Sequence, residues 1–106
     1  MGYTNLRESR GMVQKLRPFK GNHIEGEWDA GNTLYVVYSY RSTFPIYVYD
    51  TVSQRWFYTK DKYSRTTSRH QSACNPFADD PIYLPVGEML ELIYSGFMGL
   101  MELKAA

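Results

Sequence analysis

The stretch "KDKYSRTTSRHQSACNP", residues 60–76, gathers the side chains best suited to chemistry: Arg65, Arg69, the hydroxyls of Thr66, Thr67 and Ser68, His70, and Cys74, the only cysteine. Three chemistries fit those residue types. A helix starting here would present unpaired N–H groups and partial positive charge, which favour an anion such as a phosphate. The anion- or nucleic-acid-binding candidates are then Lys60, Lys62, Arg65, Thr67, Ser68 and Arg69. A metal site would use His70 and Cys74, four residues apart and so on one helical face, with His23 as a third ligand. Zinc normally takes four ligands, and the chain has no C-x-x-C and no second cysteine. A Cys–His nucleophile is the third chemistry, but a lone cysteine is usually a small buried hydrophobe. Paired carboxylates, a P-loop and a G-x-S-x-G elbow are all missing from the sequence. No catalytic residue, metal or cofactor is assigned on this basis.

The same stretch has a plainer role as a short capped helix over 68–74. Ser68 and Gln71 form an S-x-x-Q capping box, Thr67 is an equally good cap, and Asn75 with Pro76 ends the helix.

The elements that must position these residues follow from periodicity. Leu6, Val13 and Leu16 recur at helical spacing, Asn5 and Glu8 resemble a capping box, and Pro18 stops continuation, so a helix is expected from about 5 to 16. Residues 20–32, "KGNHIEGEWDAGN", carry three glycines among polar residues and read as loop with a short strand at His23–Trp28. "NTLYVVYSY", "FPIYVYD" and "QRWFYTK" are β-branched and aromatic, and short connections pair them as an antiparallel meander. Strict alternation puts Phe44, Ile46 and Val48 on one face, Tyr47 and Tyr49 on the other. The tyrosine side is either covered or forms a binding surface. Pro85 and Glu88 suit the start of a C-terminal helix, with Met89, Leu90, Ile93, Phe97, Leu100 and Met101 as its apolar band. The expected fold is α+β: a three-stranded antiparallel β-meander packed by N-terminal and C-terminal α-helices.

At 106 residues the chain has room for one modest core, so residues 1–106 are read as a single domain. An apolar content of 43% argues against disorder. Residues 1–70 hold eleven Lys/Arg against six Asp/Glu, and residues 71–106 hold one against five. Such asymmetry implies one face that attracts anions, while the overall charge of +1 disfavours dedicated duplex DNA binding, which leans on many phosphate contacts. A lone cysteine fits a reducing compartment, and the polar start "MGYTNLRESRGMVQK" lacks the apolar core of a signal peptide. Glu88, Glu91 and Glu102 interrupt the longest apolar run, so no membrane span is expected.

The motifs "YVVYSY", "PIYVYD" and "KYSRTTSRHQ" together resemble a family of short accessory proteins encoded by tailed phages, notably those of actinobacteria. The matching segment covers about 45 residues and stops short of the C-terminal helix. The resemblance implies expression in the host cytoplasm of an infected bacterium and assigns no activity.

A surplus of apolar and aromatic surface without a catalytic constellation points to a non-enzymatic protein that binds a host protein. Tyr47, Tyr49, Phe97, Leu100 and Met101 are the docking candidates, and the C-terminal helix is a route to a homo-oligomer. The alternative is nucleic-acid binding by a basic and aromatic face around residues 55–70. Full enclosure of the bulky strand residues within one subunit would remove the docking surface.

Overall fold

Strand propensity peaks in the middle of the chain, and a six-stranded sheet is built outward from there. The computed structural model describes residues 6–29, 31–40, 44–61 and 65–94. In chain order these form α1 (Leu6–Gln14), β1 (Phe19–Gly21), β2 (Ile24–Trp28), β3 (Leu34–Ser39), β4 (Phe44–Asp50), β5 (Arg55–Thr59), α2 (Arg65–Cys74) and β6 (Ile82–Leu84). A third helix, α3, covers residues 86–94. The fold is α+β, with strand order β1-β2-β3-β4-β5-β6. The first five strands pair antiparallel, while β6 joins β5 in parallel after the α2 crossover.

Three strands therefore join the expected meander of three. β2 is the short strand expected at His23–Trp28, starting one residue later, whereas β1 is an unexpected strand at the edge of the glycine-rich segment. Gly26 is needed in β2: a Cβ on it would lie 2.5 Å from Phe19 Cε1 and 2.5 Å from the Tyr35 hydroxyl. The residue that weakens the strand signal is thus the one that lets β2 fit beside its neighbours. β6 is three residues long and lies between Pro81 and Pro85, too short for alternation to register.

Helices cover both faces of the sheet. Tyr35 and Val37 of β3, Ile46 and Tyr47 of β4, and Tyr58 of β5 face α1 and α2, where they meet Val13 and Cys74. Leu34, Val36, Tyr38 and Val48 face α3, where Met89 is fully buried. Every residue of β3 is buried, as a central strand sandwiched on both sides must be. A bulge breaks the alternation expected in β4. Val37 pairs with Tyr47 but Tyr38 pairs with Pro45, leaving Ile46 as the extra residue. Ile46 consequently turns to the same side as Tyr47 instead of sharing the Val48 face.

The first helix ends two residues before its expected limit. Leu16 takes a left-handed conformation (φ 56°), the Leu16 N–H donates to the Val13 carbonyl and the Arg17 N–H to the Met12 carbonyl. This is a Schellman ending with leucine where glycine is usual. Leu16 keeps that place through its neighbours: it packs against the core, and its carbonyl accepts the Trp28 Nε1–H at 3.0 Å.

α3 gains its start from a distant residue. Asp61 Oδ2 accepts the Val86 N–H at 2.7 Å, and Met89 N–H donates to the Pro85 carbonyl. Pro85 is therefore the residue before the helix rather than part of its first turn. Among the described residues, no helix is long and apolar enough to cross a membrane.

Candidate functional site

α2 begins at Arg65, three residues earlier than the capping box implies, so Thr67 and Ser68 lie within its first turn. Thr67 is fully buried. Its hydroxyl lies 3.1 Å from Ser39 Oγ, which in turn lies 2.8 Å from His70 Nδ1. Ser39, Thr67 and His70 thus form a buried polar cluster joining the end of β3 to the underside of α2. The two ends come from "YVVYSY" and "TTSRHQ", segments separated by 31 residues in the case of the Ser39–His70 bond. Burial, with the charges of His23 and Arg69, lowers the His70 pKa below its ordinary value and keeps the ring neutral. A serine beside a histidine is a nucleophile pair in outline, but Ser39 has no accessible surface and cannot meet a substrate.

Cys74 is equally enclosed. Burial pushes its thiol up to about 12, against the hydrogen bond with Ser9 and the charge of Arg10. His70 and Cys74 share a helix face but turn to different partners, Ser39 and Ser9. No group of three or more His, Cys, Asp or Glu able to hold a metal occurs among the described residues.

Directional bonds fix the rest of α2. Tyr47 donates its hydroxyl to the Gln71 carbonyl, and Gln71 Nε2 donates to the Asp61 carbonyl at 2.9 Å. Arg10 on α1 donates Nε to the Asn75 carbonyl at 3.0 Å and Nη2 to the Ser72 carbonyl at 2.7 Å. A cation at a helix C-terminus complements the dipole and satisfies carbonyls that lack intrahelical partners. Asn75 Oδ1 accepts from both the Tyr58 hydroxyl and the Phe77 N–H.

Beyond α2 the sheet continues under open solvent. Tyr58 and Tyr83, edge to face with centroids 5.6 Å apart, line a cleft with Tyr47, Lys60, Ser68 and Gln71. Thr59, Ser72 and Asn75 complete it. Ser68, Gln71, Ser72 and Asn75 fall at i, i+3, i+4 and i+7, so one polar face of α2 forms the wall. Tyr83 retains 59% of its surface exposed, unlike Tyr58 at 4%. The rings extend as a series from Tyr83 through Tyr58 to Trp56 and Tyr49.

The sequence candidates separate on this geometry. Lys60 and Ser68 meet at the cleft, whereas Arg65 is exposed at the start of α2 and Arg69 faces α1. Thr67 is correctly placed near a helix start but enclosed, so it cannot donate to an anion. Tyr47 is 4% exposed and hydrogen-bonded beneath α2, so it lines the cleft without offering an exposed docking face; Tyr49 is half-buried against Trp56. Lys62, Phe97, Leu100 and Met101 lie outside the described residues. Tyr58 and Tyr83 escape the sequence reading. Alternation along "RWFYT" is a signal for Tyr58, and only the parallel pairing of β6 brings Tyr83 beside it.

The chain matches no known family profile, no curated protein and no solved structure.

Proposed function

We propose that the protein is a non-enzymatic binding module whose cleft beside α2 takes single-stranded nucleic acid. The observation that carries this reading is Tyr83, a largely exposed ring braced by Tyr58, in one cleft with Lys60 and the polar face of α2. A base stacks on the tyrosine, Ser68, Gln71 and Ser72 offer hydrogen bonds to its edge, and Lys60 neutralises a neighbouring phosphate. A duplex, whose bases are already stacked, gains nothing from Tyr83. In the setting implied by the phage resemblance, the ligand is a strand inside an infected bacterium.

Fluorescence anisotropy with labelled single-stranded and duplex oligonucleotides, across a salt titration, tests the proposal. Tyr83→Ala is expected to weaken single-strand binding by roughly tenfold, since base–aromatic stacking contributes about 1–3 kcal/mol. Lys60→Gln should reduce the salt slope by about 1. Absence of binding at low salt, or indifference to both substitutions, sinks it.

Docking to a host protein is the second reading. With Tyr47 enclosed, its support moves to Leu90 and Tyr94, 42% and 64% exposed on the outer side of α3. Sedimentation analysis of the wild type and a Leu90→Asp/Tyr94→Asp variant decides whether that side also joins two copies of the chain.

A further inference from the structure

Phe77 is a large apolar side chain that the fold sets in solvent. It keeps 63% of its surface exposed, on the segment that leads from α2 to β6. Its backbone is left-handed (φ 55°), a conformation uncommon for any residue but glycine. Two contacts hold it there. The Phe77 N–H donates to Asn75 Oδ1 at 2.8 Å, and the Arg10 guanidinium lies 4.3 Å from the centroid of the ring. Arg10 is itself anchored by the Ser72 and Asn75 carbonyls, so a fixed cation covers one side of the ring and leaves the rest open. A ring so exposed adds little to the core. Held in place beforehand, it loses little freedom when a second ring stacks on it.

Asn75 ties this ring to the cleft. Its Oδ1 accepts from the Phe77 N–H and from the hydroxyl of Tyr58, whose ring lies edge to face with Tyr83. A backbone N–H can only donate, so the amide atom facing it is the oxygen and the amide orientation is fixed. Nδ2 keeps both hydrogens, with no acceptor among the described residues. Asn75 lines the cleft, and the chain of contacts from Tyr83 through Tyr58 to Phe77 passes through it.

We infer that Phe77 is a second stacking subsite for the single strand, beyond the base on Tyr83, with Asn75 Nδ2 donating to the strand between them. The inference rests on the reading of the cleft and extends it from one base to a track. Arg10, stacked against Phe77, places a positive charge beside the phosphates at the far end of that track.

Competition anisotropy on the full chain, with oligothymidylates from a dinucleotide to an octanucleotide, tests the inference. Phe77→Ala should weaken the octanucleotide about tenfold, the usual loss of one base–aromatic stack, and leave the dinucleotide unchanged. Tyr83→Ala should weaken both. Phe77→Trp should keep the affinity for the octanucleotide, whereas Phe77→Leu, apolar but without a ring, should lose it. Asn75→Asp keeps the acceptor for Tyr58 and Phe77 but replaces the donor with a negative charge; it too should weaken the octanucleotide, with circular dichroism showing the fold retained. Equal weakening of both lengths by Phe77→Ala, no weakening of either, or full affinity in Phe77→Leu overturns the subsite. If Tyr83→Ala still weakens both lengths in that case, the cleft stands without the track. If no oligonucleotide binds at low salt, cleft and subsite fall together.

Discussion

The two faces of the sheet are held by different physics. Against α3, the contacts are mostly aliphatic: Leu34, Val36, Val48, Met89 and the partly buried Leu84, Leu92 and Ile93, with Tyr38 and the partly buried Phe57 as the aromatic members. Against α1 and α2, the contacts are aromatic and polar, with Tyr35, Tyr47 and Tyr58 each sending a hydroxyl to a specific partner. Burial of apolar area has no direction, so the α3 face tolerates small shifts. Hydrogen bonds in a low-dielectric interior do have direction, and a lost partner leaves a costly orphan. The α2 face is therefore the one on which a cleft can be held in a fixed shape.

The comparison predicts unequal responses to mutation. Met89→Ala should have the largest effect, about 2–5 kcal/mol in urea unfolding, because it empties a fully buried site on the face that depends on filling. Gly26→Ala should also destabilise markedly, since its new methyl must displace the Phe19 ring and the Tyr35 hydroxyl; near-ultraviolet circular dichroism should report the disturbed tyrosine. Ser39→Ala should cost about 1–3 kcal/mol by leaving His70 Nδ1 without its buried hydroxyl. Asp61→Ala should cost about 1 kcal/mol, the usual loss on removing a helix cap, and should act on α3. If Ser39→Ala proves neutral while Met89→Ala is severe, the polar cluster is dispensable and the contrast between the faces collapses.

Acid acts on His70 on the α1–α2 side, and alkali acts on tyrosines of both faces. His70 has a folded pKa below its unfolded value of about 6.5, so its unfolded form binds the additional proton. The stability it contributes is fully present above pH ~6.5 and is lost as pH falls towards the folded pKa. Thermal unfolding between pH 7.5 and 5 should show this fall, and His70→Gln should flatten it. In alkali, burial holds Tyr35 and Tyr47 well above the ordinary tyrosine range and Tyr38 at about 12. Their unfolded forms ionise first, near pH ~10, so stability should decline above that pH. Tyrosinate absorbance should then appear together with loss of the fold.

Much of this was legible in the residues, and the failures share a cause. β3 and β4 announce themselves through β-branched and aromatic content, and α1 through its apolar spacing. β2 was legible as a short strand at His23–Trp28 and β1 was not, while the value of Gly26 appears only when Phe19 and Tyr35 arrive on either side. The Ile46 bulge cannot be read from β4 alone, because a bulge is a property of a strand pair. Thr67 and Ser68 resemble caps in sequence, yet α2 starts at Arg65 and turns one hydroxyl inward to Ser39 and the other towards the cleft. Lys60 and Ser68 were identifiable as binding candidates from type and proximity. Tyr83 was not, since it joins them only through the parallel pairing of β5 with β6.

By itself the sequence determined that this chain forms a mixed α and β domain around an aromatic strand block, with positive charge towards its first two thirds. These are local and additive properties, set by propensity, periodicity and counting. Tertiary structure decided which tyrosines are enclosed, that Arg10 holds the end of α2, and that Ser39 bonds a histidine 31 residues away. Such outcomes depend on register and crossover, and those are fixed only when two faces compete for the same core.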